Sequence, residues 1–206
     1  MTTINIGNIT ISSVWLAVIL ALLLTSFIHW GITKRKLDDW YWNSFFYYFL
    51  IWKLSYILFN FRLFLDMPLS IVYFNGGNLG HFLGLAAITI YLLMLAKRRF
   101  SLLFTTSAQI MFLYFTSYQA IISALHGNFI ELLLHVGVLG GLILLFRHHE
   151  KRELSLTPHI FILLLLLKIF IISIFDSTLS VESLSLTWMG ITVLLLTIEK
   201  RSEIFG

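Results

Sequence analysis

The chain has no cysteine, which excludes a disulfide, a thiolate nucleophile and a Cys metal site. Charge is scarce as well: Asp, Glu, Lys and Arg make up only 12% of 206 residues, about half the share usual in a soluble domain. Long linkers, low-complexity tracts and internal repeats are missing, and every loop is short. With no soluble domain, any chemistry belongs within the helix bundle or at its rim. The seven histidines show no HExxH or related spacing, so neither a metal nor another cofactor is expected. What fills the sequence instead is apolar: 59% hydrophobic residues, among them 19 Phe, 8 Tyr and 6 Trp, and a mean hydropathy of +0.91. That suits lipid-facing surfaces and interfacial belts, and it marks an integral membrane protein.

Seven apolar segments are long enough, or nearly so, to cross about 30 Å of hydrocarbon as helices. They cover 9–30, 41–61, 79–96, 102–123, 129–147, 157–175 and 184–199. The net charge of +4 resides in short basic runs between these segments, which is a topology signal rather than a nucleic-acid footprint. With the N-terminus outside, Lys34, Arg35, Lys36, Lys97, Arg98, Arg99, Arg147, Lys151, Arg152, Lys200 and Arg201 all fall on the cytoplasmic side, eleven of fourteen basic residues. The outer loops then hold only Arg62. The expectation is an all-α polytopic protein, one domain over 1–206, seven spans, N-out and C-in. Asp39, Ser101 and Thr157 stand at N-cap positions, with Pro158 first in its helix, and Asn128 precedes Glu131 at capping-box spacing.

The stretch from Lys53 to Gly84 departs from this regular pattern. Arg62, Asp66, Pro68, Asn75-Gly76-Gly77 and His81 interrupt it, and such residues are costly beside hydrocarbon unless protein or a water-filled cavity surrounds them. Pro68 to Phe74 is too short to span, so a re-entrant or interfacial piece is expected near 68–77, above the mouth of the bundle. Gly76 and Gly77 either turn the chain or present N–H groups to an anion. His81 should stand at the outer end of the third span, as general base, head-group partner or simple cap. Lys53 and Lys168 lie deep in apolar spans, so they should face inward and meet Glu131 or a lipid phosphate. Glu131, one helical turn before His135, either closes a capping box or orients the histidine.

Ser55 to Leu85, with Asp66 and Pro68, Asn75-Gly76-Gly77 and then His81, resembles prolipoprotein diacylglyceryl transferase, a bacterial family with an Asp-Gly-Gly turn and a His-Gly-Gly motif. Asn128-Phe129-Ile130-Glu131-Leu132 is similar to that family's Tyr-Glu-Leu helix start, and Ile6-Gly7 to its N-terminal segment. The resemblance runs over nearly the whole chain. It implies transfer of diacylglyceryl from phosphatidylglycerol to a lipobox cysteine, in the plasma membrane of a bacterium. His81 and Glu131 would then be catalytic; Lys53, Arg62, Asn75, Gly76, Gly77 and Lys168 would bind substrate. The chain departs from the pattern in four places. His81-Phe82-Leu83-Gly84 replaces His-Gly-Gly, Tyr118 to Ala124 carries no arginine or asparagine, Lys168 stands for a late arginine, and the periplasmic head region is nearly absent.

Two classes of function follow. One is a reduced transferase acting on phosphatidylglycerol at the outer leaflet, with a lipoprotein precursor as acceptor. The other is a non-catalytic scaffold of the same fold that binds lipid or another membrane protein. Neither involves nucleic acid.

Overall fold

The computed structural model describes residues 3–6, 9–152, 156–176 and 180–204. Two short strands, β1 (Thr3–Ile6) and β2 (Ile9–Ser12), pair antiparallel from Thr3 opposite Ser12 to Ile6 opposite Ile9. Helices follow: α1 (Ser13–Thr33), α2 (Asp39–Phe59), α3 (Phe61–Asp66), α4 (Ser70–Tyr73), α5 (Gly77–His126), α6 (Phe129–Lys151), α7 (Pro158–Phe175) and α8 (Val181–Ile204). The fold is therefore helical, with a hairpin where the first span was expected to begin. Its β-branched, alternating residues explain the strands. Residues 9–12 are thus lost to the first helix.

Five apolar stretches within these helices are long enough to cross a membrane: Ser13–Thr33, Gly77–Lys97, Phe104–His126, Phe129–Lys151 and Pro158–Phe175. α2 is as long as α1 but carries Asp39, Asn43 and Lys53, and the apolar part of α8, Val181–Leu196, is shorter. The expected third and fourth spans belong to one helix of 50 residues. No glycine or proline interrupts 97–103, so nothing in the local sequence breaks the helix there; Ser101 lies inside it rather than at an N-cap. At the other predicted boundaries, α7 begins at Pro158, with the Ile160 N–H on Thr157 Oγ1 at 3.5 Å. Asp38, not Asp39, occupies the N-cap of α2, without a side-chain bond.

The chain forms two compact units. The first comprises 1–37 and 105–161 and the second 38–104 and 162–206. In the first, Ala17 and Ala21 of α1 pack on Tyr118 and Ile122 of α5, while Ser13 Oγ lies 3.2 Å from His126 Nε2. The helices therefore run antiparallel. Phe112 of α5 meets Phe161 at a ring distance of 5.3 Å.

In the second unit, α2 and the first part of α5 approach closely because Gly76, Gly80 and Gly84 share one face. A Cβ at Gly76 or Gly80 would collide with the Ser55 hydroxyl, and one at Gly84 would stand 2.7 Å from the Tyr48 ring. Such spacing of small residues is what lets membrane helices bring backbones together. Gly76 N–H donates to Trp52 O at 3.0 Å, level with this contact, and Tyr48 lies opposite Gly84, so α2 and α5 are antiparallel. α8 runs parallel to α5: Ser185 meets His81, Thr192 meets Thr89, and Leu196 packs with Ile88, Leu92 and Ala96.

Candidate functional site

The expected short outer piece is a pair of small helices, α3 and the single turn of α4, joined through Met67 and Pro68. Leu63, Leu65, Met67, Leu69, Val72, Tyr73 and Phe74 are all exposed, as is Arg62 between them. A surface of this kind suits an interfacial position. The chain then turns into α5 at Asn75-Gly76-Gly77. Gly77 adopts φ 60°, and its N–H donates to Asn75 Oδ1 at 2.9 Å, a side-chain turn that favours Gly at its end. The Gly76 N–H is taken by Trp52 O, and Gly77 O accepts the Trp52 indole N–H at 3.2 Å. The Gly77 N–H is thus bonded within the turn and the Gly76 N–H to α2.

Lys53, half-buried, reaches this turn from α2. Its Nζ donates to Val72 O at 2.8 Å, so a backbone carbonyl of α4 is its partner. A helix-end carbonyl left without an intrahelical donor is a natural acceptor for an ammonium. Tyr56 Oη donates to Ser70 Oγ at 3.1 Å from the same face of α2. Together these bonds tie α4 down onto α2.

His81 lies one turn into α5 and is held from both sides. Tyr48 Oη of α2 is 2.6 Å from Nδ1, and Ser185 Oγ of α8 is 2.6 Å from Nε2. The Tyr48 ring stands edge-on to the imidazole at 5.6 Å. Further along the same pair of helices, Thr89 Oγ1 is 2.9 Å from Thr192 Oγ1 and accepts the Trp188 indole N–H at 3.0 Å. Chemically, a histidine bonded at both ring nitrogens to hydroxyls can accept or pass a proton without either group being a metal ligand. Among the described residues no cluster of three or more His, Asp or Glu could hold a metal ion.

The remaining candidates stand on other helices. Lys168 is buried at 3% exposure in α7, within the second unit. Glu131 belongs to the first unit, where its carboxylate lies 3.7 Å from His135 Nε2 and accepts from Asn128 Nδ2 at 3.3 Å. Asn128 therefore bonds the Glu131 side chain rather than capping the backbone, and the capping box does not form. The structure joins His81, Lys53, Asn75, Gly76 and Gly77 to one helix pair. Compared with known proteins, the chain matches no family model, no curated protein and no solved structure.

Tyr48 and Ser185 escaped sequence reasoning. Tyr48 sits in an aromatic run, Phe45 to Phe49, that reads as lipid-facing, and Ser185 lies 104 residues from His81. The Gly76, Gly80, Gly84 spacing was the available signal, since it predicts that whatever faces it on the next helix stands against the start of α5.

Proposed function

We propose that this protein is a multi-pass protein of a bacterial plasma membrane that binds phosphatidylglycerol at the outer leaflet and presents His81 to it, in the manner of a prolipoprotein diacylglyceryl transferase. The observation that carries the reading is His81 itself, bracketed by Tyr48 and Ser185 directly after the Asn75-Gly76-Gly77 turn. Lys53 and exposed Arg62 supply cations on the same two elements, α2 and α3, that carry a shallow apolar surface of Leu54, Ile57, Leu58 and Phe61. A phosphodiester with an acyl tail matches that pairing of charge and hydrocarbon.

Seven spans with the N-terminus outside belong to the same proposal, which requires α5, continuous through 97–103 in the structure, to fold back there in the membrane. α2 at 21 residues rises about 31 Å, enough to cross. Inside each unit the packed pairs run as alternating spans require: α1 and α2 antiparallel to their portions of α5, α8 parallel to its portion. Lys97 follows His81 by sixteen residues and Lys200 follows Ser185 by fifteen, rises of about 24 and 22 Å. That puts the histidine toward the outer face if both lysines mark the inner one. Single cysteines at Lys36, Asn75, Lys151 and Ser180 should react with an impermeant thiol reagent in intact cells at Asn75 and Ser180 only. Strong labelling at Lys36 or Lys151 refutes this topology.

The test of activity is release of glycerol phosphate when purified protein receives phosphatidylglycerol and a lipobox peptide, with His81→Ala as control. The scaffold reading also has an observation behind it: both His81 nitrogens are already bonded to protein hydroxyls. It predicts that phosphatidylglycerol copurifies while no product forms. Absence of both turnover and bound anionic lipid rejects the lipid site altogether.

A further inference from the structure

The hydrogen bonds around His81 have a direction. Ser185 Oγ lies 2.5 Å from the Val181 carbonyl oxygen, one turn earlier in α8, and a carbonyl only accepts. The single serine proton is therefore spent on Val181, so at 2.6 Å from His81 the serine oxygen must be the acceptor. That places a proton on His81 Nε2 and leaves Nδ1 with the lone pair. At Nδ1 the partner is Tyr48 Oη, 2.6 Å away, which then donates. The chain reads Tyr48 O–H to His81 Nδ1, His81 Nε2–H to Ser185 Oγ, Ser185 O–H to Val181 O.

The geometry points to Tyr48, not His81, as the group that meets the acceptor nucleophile. The only basic nitrogen of the neutral imidazole is covered by the phenol, so a proton from outside can reach it only through the Tyr48 oxygen. Ser185, 5% exposed and committed to Val181, is a positioning residue that fixes the tautomer. Gly84 contributes by leaving room for the Tyr48 ring, which a Cβ would meet at 2.7 Å.

This step rests on the transfer reading above. A thiol proton passes to the Tyr48 oxygen as the Tyr48 proton passes to His81 Nδ1, leaving a thiolate and an imidazolium. The thiolate forms the S–C bond to the glyceryl carbon while the C–O bond to phosphate breaks. Glycerol phosphate leaves with that electron pair and takes up the proton returned through Tyr48 from His81.

Two measurements test it. In lipid nanodiscs, nitrogen-15 histidine spectra, with the His81 signals assigned by their loss in His81→Asn, should show an Nε2–H tautomer. Tyr48→Phe should move the Nδ1 resonance and Ser185→Ala the Nε2 resonance. An Nδ1–H tautomer in the unaltered protein overturns the proton direction whether or not the protein has activity. In the phosphatidylglycerol and lipobox-peptide assay, Tyr48→Phe should lose turnover by about 100-fold or more, the scale of general acid–base catalysis, with copurified phosphatidylglycerol unchanged. Ser185→Ala, which removes the acceptor that fixes the tautomer, should lower turnover as well, by less than Tyr48→Phe. Full turnover in Tyr48→Phe refutes the relay. No turnover in the unaltered protein refutes the transfer reading and the relay with it, while the tautomer result still decides the proton direction.

Discussion

α5 is one helix with two different neighbourhoods. Over an apolar 18-residue portion of its first stretch, Gly77–Lys97, 33% of the residues are buried, whereas over the corresponding portion of Phe104–His126 the share is 72%. Yet several polar groups behave the other way round, although His126 at the end of the second stretch does meet Ser13 of α1. His81 and Thr89 in the first stretch are hydrogen-bonded across to neighbouring helices. In the second, Ser107 Oγ, Thr116 Oγ1, Ser117 Oγ and Gln119 Oε1 are buried with no hydrogen-bond partner among the described residues, as is Thr25 Oγ1 on α1. A hydroxyl in an apolar helix is thus no guarantee of an interhelical bond. In the second stretch the buried Ser and Thr side chains add small volume to a helix whose Tyr118 and Ile122 pack on Ala17 and Ala21; in the first, Thr89 bonds across to α8.

The largest effect should come from charge in the bonded unit. Lys168→Glu replaces a buried cation by an anion beside whatever satisfies it and should cost about 3–5 kcal/mol, abolishing folded protein, while Lys168→Met is milder. Thermal unfolding in detergent, read by size-exclusion fluorescence, checks both; equal losses would show that the charge of Lys168 is immaterial. Next comes close packing. Gly80→Leu forces a side chain into Ser55 and should cost about 1–3 kcal/mol or more, whereas Gly140→Leu on α6, where a Cβ meets nothing within 4 Å, should change little. A melting temperature equally lowered by both would remove the helix contact from the argument.

The smallest effect sharpens the comparison most. Thr192→Val removes a bonded hydroxyl and should lower stability by about 1 kcal/mol, while Thr116→Val removes an unsatisfied one and should be neutral or stabilising. If Thr116→Val destabilises as much as Thr192→Val, the two stretches of α5 are not different in kind.

Much of this was legible in the sequence where the signal is local and continuous. Apolar runs located most of the helices within a few residues, though they divided α5 in two, and the isolation of Lys168 among leucines and isoleucines announced its burial. The short non-spanning piece followed from Pro68 and Asn75-Gly76-Gly77, because turn chemistry is a property of adjacent residues. The hairpin at Thr3–Ser12 was missed, since eight residues of alternating Ile and polar groups are masked by the apolar run that follows. The partner of Lys53 was missed for another reason: Val72 O is a backbone atom, made available by the end of a one-turn helix that composition does not reveal. Likewise no local pattern links Tyr48 and Ser185 to His81, because the two bonds bridge 33 and 104 residues.

That last separation bears on how the protein is made. At a synthesis rate of about 5–20 residues per second, His81 leaves the ribosome roughly 5 to 20 s before Ser185 does. During this interval α2 and α5 can already associate through the glycines at the start of α5, with Tyr48 in place and the far nitrogen of the imidazole still open. The last helix is therefore the latch of the assembly, and a chain stopped before Val181 would carry a half-built histidine however well its earlier helices had inserted.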